Sequence, residues 1–536
     1  MKPVEILTGL LALTTLLAVV ARRLNFSYPI LLVLVGLGIG WIPGLPSVEL
    51  APDVVFLIFL PPLLYSAAWS INNVDLNRYS RSVALLSVGL VLFTACLIAL
   101  TTTAFIPGFT LAQGFLLGGI IAPPDAVAAA SVMRGLHIPR RINTVLEGES
   151  LVNDATSLVL YRFALAAVAT GHFSMAEASW DFVRSAALSV ALGLAIGWVM
   201  QYVHYSLRKD AVTNNAVTLL IPYGVYLLAE EWHLSGVLAV VTTGLFLSWN
   251  DSRIFSNQTR LQAYTIWETL TFLLNGLVFI LIGLQLPRII NGLSTVGLWE
   301  AVGYAVLVSG VAIIGRILWV FPGAYVPRWL SRRIRAREPR PSWQEVAVVA
   351  WAGMRGVVSL AAALALPNTL PNGQPFPNRD LILFLTFAII LATLVVQGLS
   401  LPLLIKWLGV HDPSDERQQE RDLRRQLAQR AITYLEEHHA AGDVPESVLS
   451  QLKNTFELKI DHLNGRVRTD EPGGSSAERH TAMVRLQLAL LAAQRELLDQ
   501  QLRKAEISDE LLRKLEQELD LEAVRLSSSI PADQLP

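Results

Sequence analysis

The sequence predicts an all-α, polytopic membrane protein: about thirteen transmembrane helices with inverted repeats and broken helices, followed by a cytoplasmic helical tail. Three observations carry that prediction. Of 536 residues, 53% are hydrophobic and only 16% charged, well below the roughly 25% charged residues of soluble domains. The apolar residues gather into runs of roughly 17–25, long enough to cross a bilayer as helices. After Gly409 these runs stop and Arg, Glu, Gln and Leu take over.

Taken in order, the predicted spans lie near 4–21, 28–46, 54–70, 82–106, 111–133, 144–168, 180–204, 215–232, 235–249, 264–286, 296–324, 345–367 and 381–408. The first is flanked by Lys2 and lacks a small-residue cleavage site before Arg22-Arg23, so it reads as a retained helix and not a signal peptide. The run at 235–249 is short for a span. Alternate loops are basic: Arg22-Arg23, Arg78 and Arg81, Arg134 to Arg141, Arg208-Lys209, Arg253 and Arg260, and Arg328 to Arg340. The loops between them are acidic or bland, so the parity predicts an N-terminus outside, a cytoplasmic C-terminus and a place in the cell membrane.

Two domains are expected, a membrane domain over 1–408 and a cytoplasmic helical domain over 411–536. Leu423, Leu427, Ile432 and Leu435 give the tail one helical pattern, and Leu486 to Leu502 a second. Glu471 to Ser476 separates them as a linker. A regulatory or dimerising role and a loosely packed solvated tail both fit this composition. The net charge of −1 argues against nucleic acid as a partner, and the single Cys96 excludes a disulfide framework or thiolate metal site.

The chemistry is concentrated in the sixth span. On a helix over 144–166, Ser150, Asp154, Ser157 and Tyr161 fall on one face, with Glu149 and Asn153 on the adjoining one. Small residues alone would let helices pack closely. A carboxylate at mid-membrane costs on the order of 2.5–3.5 kcal/mol even on lenient scales, so Asp154 is read as holding an ion or a proton. The fifth span is interrupted by Pro123-Pro124-Asp125, where two missing amide donors leave carbonyls unpaired. Such breaks are tolerated inside protein or along a wet cavity, where freed carbonyls and Asp125 can meet a cation. A plain kink capped by Asp125 is the alternative. The twelfth span is interrupted at Gly353-Met354-Arg355-Gly356, and Arg355 needs a carboxylate among Glu149, Asp154, Asp125 and Glu268, or access to water. Breaks seven spans apart fit two inverted six-span repeats around a spare seventh.

The stretches GESLVNDATSLVLY, PPDAVA, NGLVFILIGLQLP and MRGVVSLAAALALP together resemble the cation:proton antiporter-1 family, which includes bacterial NhaP-type and animal sodium/proton exchangers. The likeness covers about residues 1–408. It implies a secondary antiporter exchanging Na+, or Li+ or K+, for H+ by alternating access, without enzyme activity or cofactor, in a homodimer. It implies that Asp154 binds cation and proton in turn. Asn153 stands where electrogenic relatives carry a second aspartate, which implies electroneutral exchange. Ser150 and Asp125 complete the monovalent-cation shell, and Glu149 forms a structural ion pair with Arg355. The family usually has Thr or Val before the aspartate of the broken span. Here Pro124 stands there, so one hydroxyl ligand is missing and the Pro124 carbonyl is left to serve.

A cation channel is the chief rival, but a pore would draw rings of ligands from several subunits. No HExxH, GxSxG or other hydrolase pattern is present, and no cluster to anchor an organic solute accompanies the ion site. Arg162 is expected to snorkel or pair locally, with Glu268 a candidate partner. His137, His204 and His233 are expected at the surface, and Trp41, Trp69, Trp198, Trp299, Trp319 and Trp351 in an interfacial belt.

Overall fold

The computed structural model describes residues 3–24, 26–42, 52–71, 73–133, 136, 138–170, 175–250, 254–293, 296–332, 334, 340–371, 373–410, 416–438, 446–463 and scattered positions from 484 onward. Its chain divides into two compact units, Met1–Asp412 and Pro413–Pro536.

The first unit is a helical bundle. Its described elements are α1 (Pro3–Arg23), α2 (Tyr28–Gly40), α3 (Pro52–Ser70), α4 (Asn73–Ala84), α5 (Leu90–Phe105), α6 (Leu111–Ile121), α7 (Ala126–Met133), α8 (Arg140–Thr170), α9 (Met175–Ser206) and α10 (Ala211–Glu231). They continue as α11 (Gly236–Trp249), α12 (Asn257–Gly292), α13 (Leu298–Leu330), α14 (Trp343–Trp351), α15 (Val357–Leu364), α16 (Arg379–Ala392) and α17 (Gly398–Leu408). Among the described residues, nine helices are long and apolar enough to cross a membrane, and Tyr28–Gly40, Leu57–Ser70 and Gly236–Trp249 are shorter apolar helices. The predicted span 345–367 is two short helices, α14 and α15, joined by non-helical backbone at 352–356. Among the described residues no strand is formed; an isolated bridge links Thr369 to Pro375.

Lipid-facing helices gain nothing from hydrophobic contact with one another, so close backbone approach has to hold the bundle together. The sequence supplies it with glycines four apart. Gly36 and Gly40 of α2 lie against α12, where a methyl group on Gly36 would collide with the Ile280 carbonyl and one on Gly283 with the Val33 carbonyl. Gly114 and Gly118 of α6 bring it onto Ala99 and Ala95 of α5 in the same way. A larger side chain on any of these faces would push the two packed helices apart.

Two helices carry a π-helical turn. Leu85–Gly89 joins α4 to α5, and Thr393–Gln397 joins α16 to α17. Wide turns of this kind shift the register of everything beyond them and recur at functional sites; the second lies against the break between α14 and α15. The Trp belt is only partly drawn as expected. Trp41, Trp198 and Trp299 are exposed, whereas Trp69 is buried, stacked on Tyr264 at 5.4 Å. His233 is exposed and His137 lies outside the described residues. Contrary to expectation, His204 is fully buried, its Nδ1 2.5 Å from Asn214 Oδ1.

The second unit contains α18 (Glu416–His438) and α19 (Glu446–Leu463), with Lys453 Nζ 2.6 Å from Glu436 Oε1. The Glu471–Ser476 linker lies outside the described residues, as do Leu497, Leu498 and Leu502 of the second leucine pattern.

Candidate functional site: crossed helix breaks around a buried acidic cavity

The site is built where the two broken spans cross. The α6–α7 break is residues 122–125 and the α14–α15 break is 352–356. The Asp125 amide donates to the Met354 carbonyl at 2.6 Å, so each break supplies a hydrogen-bond partner the other has lost. Gly356 permits this approach. Its backbone lies so near Asp125 that a methyl group there would overlap the Asp125 carboxylate. The Arg355 amide donates to Thr393 Oγ1 at 3.1 Å, on the π-helical turn after α16.

Asp125 has two roles, one for each carboxylate oxygen. Oδ1 accepts from the amides of Val127 at 2.8 Å and Ala128 at 3.2 Å, capping the positive N-terminus of α7. Oδ2 is buried with no hydrogen-bond partner among the described residues. The cap that the sequence offers as one alternative is therefore formed, and it uses one of the two carboxylate oxygens.

The polar stripe of α8 meets the first break. Ser157 Oγ donates to the Gly119 carbonyl at 2.5 Å and Ser150 Oγ to the Pro124 carbonyl at 3.3 Å. These are carbonyls next to the break, and the stripe's serines stitch them to α8. Asp154 lies on the same face, 6% exposed. It faces a cavity of about 530 Å³ whose wall also includes Pro124, Asp125, Ser150, Gly356 and Ser359. The cavity runs outward past Glu147 and Glu268 to Arg22, in the last turn of α1, and Ser70, at the end of α3. Those helix ends belong to the side bearing the basic loops.

Of the residues predicted for the site, Asp154, Asp125, Ser150 and Pro124 are therefore brought to one cavity. Asn153 is not on its wall. It is fully buried, and neither its amide oxygen nor its amide nitrogen has a partner among the described residues. Glu149 has a different partner from the one expected. Arg316 of α13 takes both its oxygens, Nη1 to Oε1 at 2.5 Å and Nη2 to Oε2 at 2.9 Å. Both side chains are about 1% exposed. The Arg316 Nε and Nη2 also donate to the Val349 carbonyl at 3.3 and 3.1 Å, near the C-terminal end of α14. Gly353 leaves room for this, since a methyl group there would come within 2.5 Å of Arg316 Cδ.

Arg355, the expected partner, turns back on its own break: Nη1 donates to the Gly353 carbonyl at 3.0 Å, and the side chain is 2% exposed. Its charge sits against the negative, carbonyl end of α14. Sequence reasoning missed Arg316 although the signal was present. An arginine in the middle of the run 296–324 needs a buried partner by the same argument that singled out Arg355. Arg162 is paired locally, with Glu230 at 2.5 Å and not with Glu268.

No group of three or more His, Cys, Asp or Glu side chains among the described residues could form a multidentate metal site. The arrangement instead offers two carboxylates and neutral oxygens on one cavity wall, a donor set suited to one monovalent cation or a proton.

Comparison with known proteins places the chain among named transporters. The family profile described as "Sodium/hydrogen exchanger, transmembrane" matches residues 9–407. A protein named as an Na+/H+ exchanger in Mycobacterium tuberculosis is 33% identical over 98% of this chain and 96% of its own length. A protein of Bacillus pumilus named as a sodium, potassium, lithium and rubidium/H+ antiporter is 32% identical over 86% of this chain and 70% of its own. Among solved structures, a sodium proton antiporter of Methanocaldococcus jannaschii superimposes with a TM-score of 0.59 at 22% identity. The match covers 76% of this chain and 98% of that one, and it shows a shared fold.

Proposed function

This chain belongs to the sodium/hydrogen exchanger family, and we propose that it exchanges one monovalent cation for one proton at Asp154, without net charge movement. As a family member it is a multi-pass membrane antiporter of monovalent cations and protons, not an enzyme. The observation that carries the finer reading is the single cavity that joins Asp154 to the face of the basic loops, with the free oxygen of Asp125 in its wall. One carboxylate can hold a proton or a cation, so the two compete for one charge and each turnover carries one in place of the other. Asn153, neutral beside Asp154, adds no second titrating group, which supports electroneutral exchange.

Alternating access would follow from rocking of the crossed breaks against the other helices, exposing the site to each side in turn. The basic face is assigned to the cytoplasm by the positive-inside rule, so the cavity is the inward-facing one and the membrane is the cell membrane. Sodium is the first cation proposed, with lithium and potassium admitted by the name of the Bacillus relative. No cofactor is needed, and the assembly proposed is a homodimer.

The test is purified protein in sealed vesicles with a pH-sensitive dye. Adding sodium, potassium or lithium should start a saturable proton flux in the wild type and none in Asp154→Asn. Asparagine keeps the shape but cannot exchange a proton. Flux retained in a folded Asp154→Asn protein would overturn the mechanism.

A further inference from the structure

Ser359 is a buried hydroxyl that the fold leaves unused. It lies in the first turn of α15, 1% exposed, and its Oγ has no hydrogen-bond partner among the described residues. Serine and threonine inside helices ordinarily donate back to a carbonyl three or four residues earlier. Around this same crossing Thr386 and Thr393 do so, to Ile382 and Ile389 at 2.9 and 2.8 Å. Ser150 and Ser157 instead donate to carbonyls beside the opposite break. Ser359 does neither, and a buried hydroxyl left without a partner is unfavourable.

Its placement indicates what the hydroxyl is for. Gly356 faces the Asp125 carboxylate closely enough to exclude a methyl group, and Ser359 is three residues on, one turn along the same face of α15. Ser359, Asp125, Ser150 and Asp154 all line the one cavity. The N-termini of α7 and α15 that converge here carry partial positive charge and offer no ligand to a cation. Oxygen must come from side chains or carbonyls. The Pro124 carbonyl and the Ser150 hydroxyl are already bonded to each other, and Pro124 brings no hydroxyl of its own.

We propose that Ser359 supplies the missing neutral oxygen of the cation shell, opposite Asp154 and beside Asp125, and that it sets the preference among sodium, lithium and potassium. This rests on the exchange reading above, and makes the site a product of both broken helices.

The test reads binding and transport separately in full-length protein. Cation-dependent thermal stabilisation in detergent gives an apparent affinity for sodium, lithium and potassium, and dye-monitored flux in vesicles gives KM. Ser359→Ala should weaken sodium in both readouts by about fivefold or more and change the sodium-to-potassium ratio. Ser359→Thr, which keeps the hydroxyl, should stay within about twofold of wild type. Without cation, Ser359→Ala should melt no lower than wild type, since it removes an unpartnered donor. Unchanged cation affinities in Ser359→Ala would overturn the role of Ser359. Wild-type protein that binds these cations but moves no protons would overturn the exchange reading and leave the Ser359 comparison to be decided by the affinities.

Discussion

Arg316 and Glu149 form a two-toothed ion pair across α13 and α8, with Nη1 on Oε1, Nη2 on Oε2 and both side chains out of water. The pair ties the helix that carries Asp154 to the carbonyl end of the broken span. Removing one partner strands a buried charge, at a cost of about 3–5 kcal/mol, whereas removing both leaves none. Glu149→Gln and Arg316→Met should each lower the melting temperature in detergent, and the double variant should recover much of the loss. A cycle between Glu149 and Arg355 should show much weaker coupling. Equal coupling in the two cycles would mean that Arg355 shares the carboxylate.

Gly356→Ala should abolish or severely reduce exchange. The added methyl group overlaps the Asp125 carboxylate, and overpacking of this kind costs about 1–3 kcal/mol where the neighbours can move. Here the neighbour is pinned by two amides and by the Met354 carbonyl. Flux and melting temperature measured together separate a displaced carboxylate from general unfolding. Wild-type flux would show that the breaks give way without cost to the site.

Asp210 caps α10 from outside the membrane. Its carboxylate accepts from the Thr213 hydroxyl and from the amides of Thr213 and Val212, and these bonds hold it below its ordinary value of 3.8. A depressed carboxylate stabilises the folded state above its unfolded value, and the contribution is lost as pH falls through the folded one. Asp210→Ala should therefore lower the melting temperature slightly near neutral pH and by less under acid conditions. An equal loss at both ends of the pH scale would remove the carboxylate's charge from the explanation.

Truncation after Leu408 should leave a membrane protein that still exchanges, because the cavity and every side chain assigned to it lie within Met1–Asp412. A shifted pH profile or weaker self-association is the expected effect of losing the tail. A truncated protein that inserts and folds, yet exchanges nothing between about pH 6 and 9, would make the tail part of the transport cycle.

The sequence by itself determined the all-α membrane class, because the bilayer forces every backbone group into local hydrogen bonds and so writes itself into chain-long apolar runs. It also determined where the helices break, since Pro123-Pro124 and the glycines about Arg355 act locally. It singled out Asp154 by the cost of a mid-membrane carboxylate. What it could not determine was partnership. Glu149 and Arg316 are 167 residues apart, and no local pattern says which buried arginine reaches which buried acid; only the packing of α8 against α13 does. The same holds for Asp125, whose amide finds the Met354 carbonyl and whose carboxylate meets Gly356 only when the second break packs against it. His204 was misplaced for a like reason: a span end by sequence is an interior position once α9, α10 and Phe255 close over it. Tertiary structure decided the pairs, because the energy of a buried charge or hydroxyl depends on atoms that the chain brings from far away.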